Sequence, residues 1–145
     1  MKKKMGLDVG DKTIGVAVSD ALLLTAQGIT TIERVGIRKD TTKVMDLIKE
    51  HGCDTVVIGL PLKMDGGDSP QTEKVHQFKN LLANKMISSG MKDVEIVFQD
   101  ERFTTKIAEK VLIGADVSRS KRKKVIDKQA AIIILQSYLD GLFKK

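Results

Sequence analysis

The sequence predicts an α/β fold, a mixed five-stranded sheet flanked by helices. Three observations carry this. Short β-branched runs near the N-terminus follow one another through tight turn chemistry, as in a meander. Further on, Thr55-Val56-Val57-Ile58-Gly59-Leu60 is a continuous apolar run, the signature of a strand covered on both faces. Around and after it, apolar residues recur at helical spacing. The element order is β-β-β-α-β-α-β-α-α. A meander followed by strand–helix crossovers makes a mixed sheet with helices on its faces.

The first strand is Lys4-Met5-Gly6-Leu7-Asp8-Val9, and Val9-Gly10-Asp11-Lys12 carries turn chemistry. Thr13–Ser19 is β-branched and alternates, so a second strand follows at once as an antiparallel hairpin. A third strand lies near Thr25–Ile32, with Gly28 as its weak point. Asp40 or Thr41 caps a helix whose apolar face is Val44, Leu47 and Ile48 and which ends before Gly52. After the fourth strand, Thr55–Leu60, comes a loop from Pro61 to Asp68. Ser69 then caps a helix with Pro70 at its first position and Val75, Phe78, Leu81 and Leu82 on its apolar face. Gly90 ends it. The fifth strand is Val94–Phe98, a short helix runs from Thr104 or Thr105 through Leu112, and a last helix runs from about Ser120 to Phe143. Gly114–Lys124 is the expected mobile segment.

At 145 residues the chain fits a single domain over 1–145. Apolar residues make up 41% of it, enough for a core. No apolar run reaches the roughly 20 residues of a membrane span. The basic start Met1-Lys2-Lys3-Lys4 is not a signal peptide, because Asp8, Asp11 and Lys12 interrupt any apolar segment behind it. A cytoplasmic protein is expected. Cys53 is the single cysteine, which excludes an internal disulfide and a cysteine zinc site, and it reads as a small core residue. Net charge is +6 and the pI about 9.4, a balance that favours polyanionic partners. Aromatic residues are only 3%, which argues against a binder that works by stacking bases.

Four places can carry chemistry. Asp8 sits in a strand end between Gly6 and Gly10, where a carboxylate needs water, a cation or a donor. Asp100-Glu101-Arg102 follows the fifth strand, and ligand sites in such sheets lie outside the carboxyl ends of parallel strands. Asp127 precedes the almost wholly apolar stretch Ala130–Leu135, so the last helix delivers it close to the sheet. Each acid alone has an ordinary reading: an exposed strand end, a local pair with Arg102, or a first-turn acid on the helix dipole. Taken together, the three fit a Mg²⁺ site, since Mg²⁺ takes oxygen ligands and keeps waters. Two such ions about 3.5–4 Å apart can activate a water and stabilise the leaving oxygen of a phosphodiester. His51 and His76 lack partner ligands and read as ordinary helix residues. The fourth place is the basic run with Arg119, Lys121, Arg122, Lys123 and Lys124, just before Asp127. Beside a carboxylate site it reads as a phosphate-backbone clamp, extended by Lys2–Lys4.

At these residues the chain resembles the YqgF family, also called RuvX. The matching stretches are Gly6–Asp20, Val57–Gly66, Asp100–Thr105 and Asp127–Ala131, in order over nearly the full length. The resemblance implies an RNase H-like fold with strand order 3-2-1-4-5. It also implies a cytoplasmic bacterial nuclease of the 5′ end of pre-16S rRNA, in a family earlier proposed to resolve Holliday junctions. Carried over by motif, Asp8, Glu101 and Asp127 are the catalytic metal carboxylates, with Asp100 the alternate to Glu101. Mg²⁺ is the implied cofactor, with Mn²⁺ its substitute. RuvC-like resolvases place an acid at the end of the fourth strand, where this chain reads Gly59-Leu60-Pro61-Leu62. Strands lie about 4.8 Å apart, so strand 5 is roughly 9–10 Å from strand 1. Glu101 must then lean back over Gly59 to share an ion with Asp8.

The leading expectation is a metal-dependent nuclease acting on structured or precursor rRNA. A resolvase of branched DNA is the second, and would need a symmetric dimer. A non-catalytic RNA-binding factor is the third. The chain itself is expected to be a monomer or weak homodimer. Asp8-Val9-Gly10 before a hairpin also resembles a phosphate loop of sugar kinases and actin-like ATPases, but those bind ATP between two lobes, which one domain of this length does not supply.

Overall fold

A computed structural model of the chain describes residues 2–61, 65–67, 69–100 and 119–142. Its elements are β1 (Lys3–Val9), β2 (Thr13–Ser19), β3 (Ala26–Glu33), α1 (Ile37–His51), β4 (Cys53–Leu60), α2 (Pro70–Ser88), β5 (Glu95–Asp100) and α3 (Arg119–Leu142). The strands form one sheet in the order β3-β2-β1-β4-β5. The first three make an antiparallel meander, and β4 and β5 add in parallel on the other side of β1. This is the expected RNase H-like mixed sheet. The helix expected over 104–112 lies outside the described residues. Among those described, no helix is long and apolar enough to cross a membrane.

Alternation along the strands divides the core in two. Met5, Leu7, Val16, Val56 and Ile58 face α1 and α2, where Val44, Ile48, Val75, Phe78 and Leu82 meet them. Ala17 and Val57 face α3, against Ala131, Ile134, Leu135 and Leu139. The α1/α2 side is called the back here and the α3 side the front. Cys53 joins the back core, 5% exposed, and burial pushes its thiol up to about 11.

Two glycines let α3 lie close on the front. A Cβ on Gly6 would be 2.7 Å from Leu135 Cβ, and one on Gly28 would be 2.8 Å from the Lys128 stem. Gly28, expected to weaken the third strand, instead marks this close approach, next to a register shift in the β2–β3 pairing.

Helix α2 begins as expected. Ser69 accepts from the Thr72 backbone N–H at 3.2 Å while the Thr72 hydroxyl accepts from the Ser69 N–H at 3.1 Å, a reciprocal cap with Pro70 just inside. Helix α1 does not. It starts at Ile37 after Gly36, with no side-chain cap, so Asp40 and Thr41 lie inside the helix, Asp40 in its first turn. Asp40 is used instead by residues behind the helix, accepting from Val35 N–H at 3.0 Å and from Arg34 Nε at 2.9 Å. Strand β5 also runs further than Phe98: Gln99 and Asp100 are paired with Gly59 and Leu60. The last helix begins at Arg119, so residues 119–124 of the stretch expected to be mobile are helical.

Candidate active site

Asp8 is the penultimate residue of β1, the central strand, and is half-buried. Alternation puts it on the front face with Gly6. The register aligns it with Gly15 on β2, which pairs in turn with Thr31 on β3. On the other side, Leu7 pairs with Ile58, so Gly59 is level with Asp8, and Gly59 pairs with Gln99 on β5. A row therefore crosses the front of the sheet as Thr31, Gly15, Asp8, Gly59, Gln99. The acid is flanked on both sides by residues without side chains. One level down, the row is Gly28, Ala17, Gly6, Val57 and Val97, the apolar seat of α3.

Helix α3 runs antiparallel to β1. Gln136 bonds the Ala26 N–H and the Leu24 carbonyl, each at 2.9 Å, while Lys128 and Ile132 pack at Gly28, nearer the Asp8 end. The Ala131 carbonyl oxygen lies over Gly6. From Ala131 back to Asp127 the helix rises about 6 Å, and from Gly6 to Asp8 the strand advances about 6.6 Å. The start of α3, with the backbone of Asp127, thus lies toward the carboxyl end of β1, where Asp8 stands. The turns carrying Arg119, Lys121, Arg122, Lys123 and Lys124 lie further along the same direction, beyond the end of β1. The side chains of Asp127 and of this basic run lie outside what the structure describes, as do Glu101 and Arg102 altogether.

Asp100 is described, and it ends β5 exposed. It pairs with Leu60, and alternation from Ile96 and Phe98, which pack on the back core, puts it on the back face. Asp8 and Asp100 therefore stand on opposite faces. Among the described residues no group of three or more His, Cys, Asp or Glu could hold a metal ion. His76 meets Phe98 edge-on at 5.0 Å.

Lys2–Lys4 do not extend the basic run. They stand at the start of β1, four or more residues from Asp8, about 13 Å away or more at 3.3 Å per residue. Lys4 Nζ is also engaged, 2.8 Å from Asp54 Oδ1 and 3.2 Å from Thr55 Oγ1. Burial pushes the Asp54 carboxyl up, but Lys4 and the Thr55 hydroxyl outweigh it and hold it below the usual carboxylate range.

What sequence reasoning missed is on the back face, behind the turn after Asp8. Arg34 reaches the Gly10 carbonyl at 2.8 Å, and Gln71 and Lys74 of α2 reach Val9 and Asp11. Arg34 carries no periodic or motif signal. Asp40, its partner, is read from the sequence as a helix cap, and nothing local points to Arg34 and Val35 as what it serves instead.

Residues 2–141 match the family described as RuvX: Holliday junction resolvase. The chain belongs to this family. RuvX relatives include proteins named "Putative pre-16S rRNA nuclease" from Clostridium tetani, 48% identical over 97% of this chain and 98% of the relative, and from Clostridioides difficile, 54% identical over 94% and 92%. Among solved structures, the T. thermophilus RuvC in complex with Holliday junction substrate aligns at TM-score 0.58 and 13% identity, covering 98% of this chain and 96% of that one. The Fowlpox virus resolvase with its substrate Holliday junction DNA aligns at TM-score 0.58 and 16% identity, covering 98% and 99%. At such identities the likeness is one of fold, and it bears out the RNase H-like sheet read for this RuvX chain.

Proposed function

We propose that this protein is a divalent-metal-dependent nuclease that hydrolyses phosphodiester bonds in the 5′-end processing of pre-16S rRNA, in the cytoplasm, with residues 1–145 acting as one domain. The observation that carries it is Asp8 at the carboxyl end of the central strand, between Gly15 and Gly59, with α3 starting from that same end. The names of the curated relatives support the substrate.

The residues fit a hard cation: the donors are carboxylate oxygens, and the glycines beside Asp8 put no side chain in the way. Asp8, Glu101 and Asp127 would hold Mg²⁺, or Mn²⁺ in its place. Asp100 is set aside as the alternate because it belongs to the other face of β5. When bound, the ion supplies an activated water at neutral pH and offsets the charge that grows on the phosphate. Asp8 fixes the reaction centre to the rigid middle of the sheet. Gly59 leaves room for an acid from the fifth strand to approach across β4. Arg102 and the run Arg119, Lys121, Arg122, Lys123 and Lys124 hold the phosphate backbone, reading charge and not base identity.

The test is cleavage of end-labelled precursor rRNA and of a four-way DNA junction, side by side, with Mg²⁺, Mn²⁺ or EDTA. Wild type is expected to cut the rRNA with metal, and Asp8→Asn to fold and bind but not cut. Cutting by a clean Asp8→Asn preparation would sink the assignment of Asp8.

The family's own description favours a second reading, a Holliday junction resolvase. Metal-dependent cutting of the junction alone would select it, and it requires a dimer in solution. Folded wild type that binds rRNA yet cuts neither substrate would select a non-catalytic RNA-binding role.

A further inference from the structure

The turn that follows Asp8 is gripped from behind by contacts that the proposed chemistry does not use. Arg34, between β3 and α1, donates from Nη1 to the Gly10 carbonyl at 2.8 Å and from Nε to Asp40 Oδ2 at 2.9 Å. Its backbone N–H donates to the Lys12 carbonyl at 2.9 Å. One residue therefore holds both sides of the Gly10–Lys12 turn. Its guanidinium lies 5.6 Å from the Phe78 ring centroid, and its side chain is 17% exposed. Asp40 is wholly buried and is itself tied to the Val35 N–H. From α2, Gln71 donates to the Val9 carbonyl at 3.4 Å.

A buried ion pair adds little net stability, because desolvation offsets the attraction. What the pair supplies here is geometry. A planar guanidinium serves two acceptors at a fixed angle, which a lysine ammonium on a flexible stem does not reproduce. The carbonyl it holds belongs to Gly10, two residues after Asp8, with only the buried Val9 between them.

We propose that Arg34 is a positioning residue for Asp8: by tying the Gly10 carbonyl through its guanidinium to the buried Asp40, it fixes the turn after Asp8 and so the place of the Asp8 carboxylate. This inference rests on the reading of Asp8 as a metal ligand of a nuclease. Arg34 touches neither substrate nor metal and acts through the backbone.

The test uses the full chain with two variants. Arg34→Lys keeps the charge beside Asp40 but loses the fork, and Arg34→Met/Asp40→Asn removes both charges together. Each is compared with wild type and Asp8→Asn for thermal stability, for Mg²⁺ affinity by titration calorimetry, and for kcat and KM on precursor rRNA. In the folded variants Mg²⁺ affinity and kcat are expected to fall about 10- to 100-fold, the range for partners that orient metal ligands. KM for RNA, set by the basic helix, is expected to stay as in wild type. A merely structural role would lower the melting temperature while leaving the Mg²⁺ affinity of the folded protein unchanged.

Variants with wild-type Mg²⁺ affinity and kcat overturn this inference alone, provided wild type cuts and Asp8→Asn does not. Failure of both variants to fold marks the network as structural and overturns it too. A wild type that neither cuts nor binds Mg²⁺ overturns the nuclease reading and this inference with it.

Discussion

Gly6 and Leu135 meet with no space between them: a Cβ built on the glycine would lie 2.7 Å from Leu135 Cβ and 2.9 Å from the Ala131 carbonyl oxygen. Both are parts that cannot swing aside, the root of a side chain and a helix backbone. Gly6→Ala must therefore lift α3 off the front of the sheet. It is expected to cost about 1–3 kcal/mol, the usual range for overpacking a full core. The urea midpoint checks this, and a midpoint at the wild-type value would mean that α3 is not seated where described.

Asp40 makes stability depend on acid. Its burial pushes the carboxyl up, but the N–H groups of Val35 and Gly36 and the Arg34 guanidinium outweigh this and hold it below the usual carboxylate range. The unfolded chain then takes up the proton first as pH falls. The contribution is complete above the unfolded value of about 3.9 and is lost as pH drops through the lower folded value. Asp40→Asn does not titrate, so its urea midpoint is expected to fall less than that of wild type between about pH 5 and pH 2. Parallel curves for the two proteins would remove Asp40 from the acid response.

Cys53 is expected to be inert in the folded protein. The thiolate is the reactive species, and burial pushes this thiol up to about 11, leaving little of it at neutral pH. Reaction with a disulfide reagent at pH 8 is expected only after denaturant is added. Immediate reaction of the native protein would show that the edge of the back core opens.

The basic start of α3 is open to a salt test. If Lys121, Arg122, Lys123 and Lys124 hold phosphates, replacing all four with Gln makes the slope of log affinity against log salt shallower. The change is about 0.7 for each single-strand phosphate that is no longer neutralised. Cutting at saturating RNA is expected to persist. A slope equal to that of wild type would separate this run from the nucleic acid.

The elements that could be read from the sequence are those whose cause is local. Thr13–Ser19 carries its own alternation and turn, and the strand is found at those bounds. Ser69 and Pro70 announce α2 by chemistry confined to four residues. The start of α1 was hidden because Asp40 serves Arg34 and Val35 rather than the helix end, and no window of sequence reveals that partner. Gln99 and Asp100 are poor strand formers that pair because β4 presents Gly59 and Leu60 to them. As a candidate ligand, Asp8 could be singled out from its position in an apolar strand. That Asp100 belongs to the opposite face, and that Lys4 stands at the far end beside Asp54, follow only from register, which the chain settles by packing.

The seating of α3 on Gly6 and Gly28 also bears on time. β1 and β2 are joined by a short turn and can pair within microseconds, whereas α3 must return across about a hundred residues to reach the strand it covers. Until that helix docks, Ala17 and Val57 lack the cover that it gives them. Concealing that sticky surface thus falls to the helix farthest along the chain.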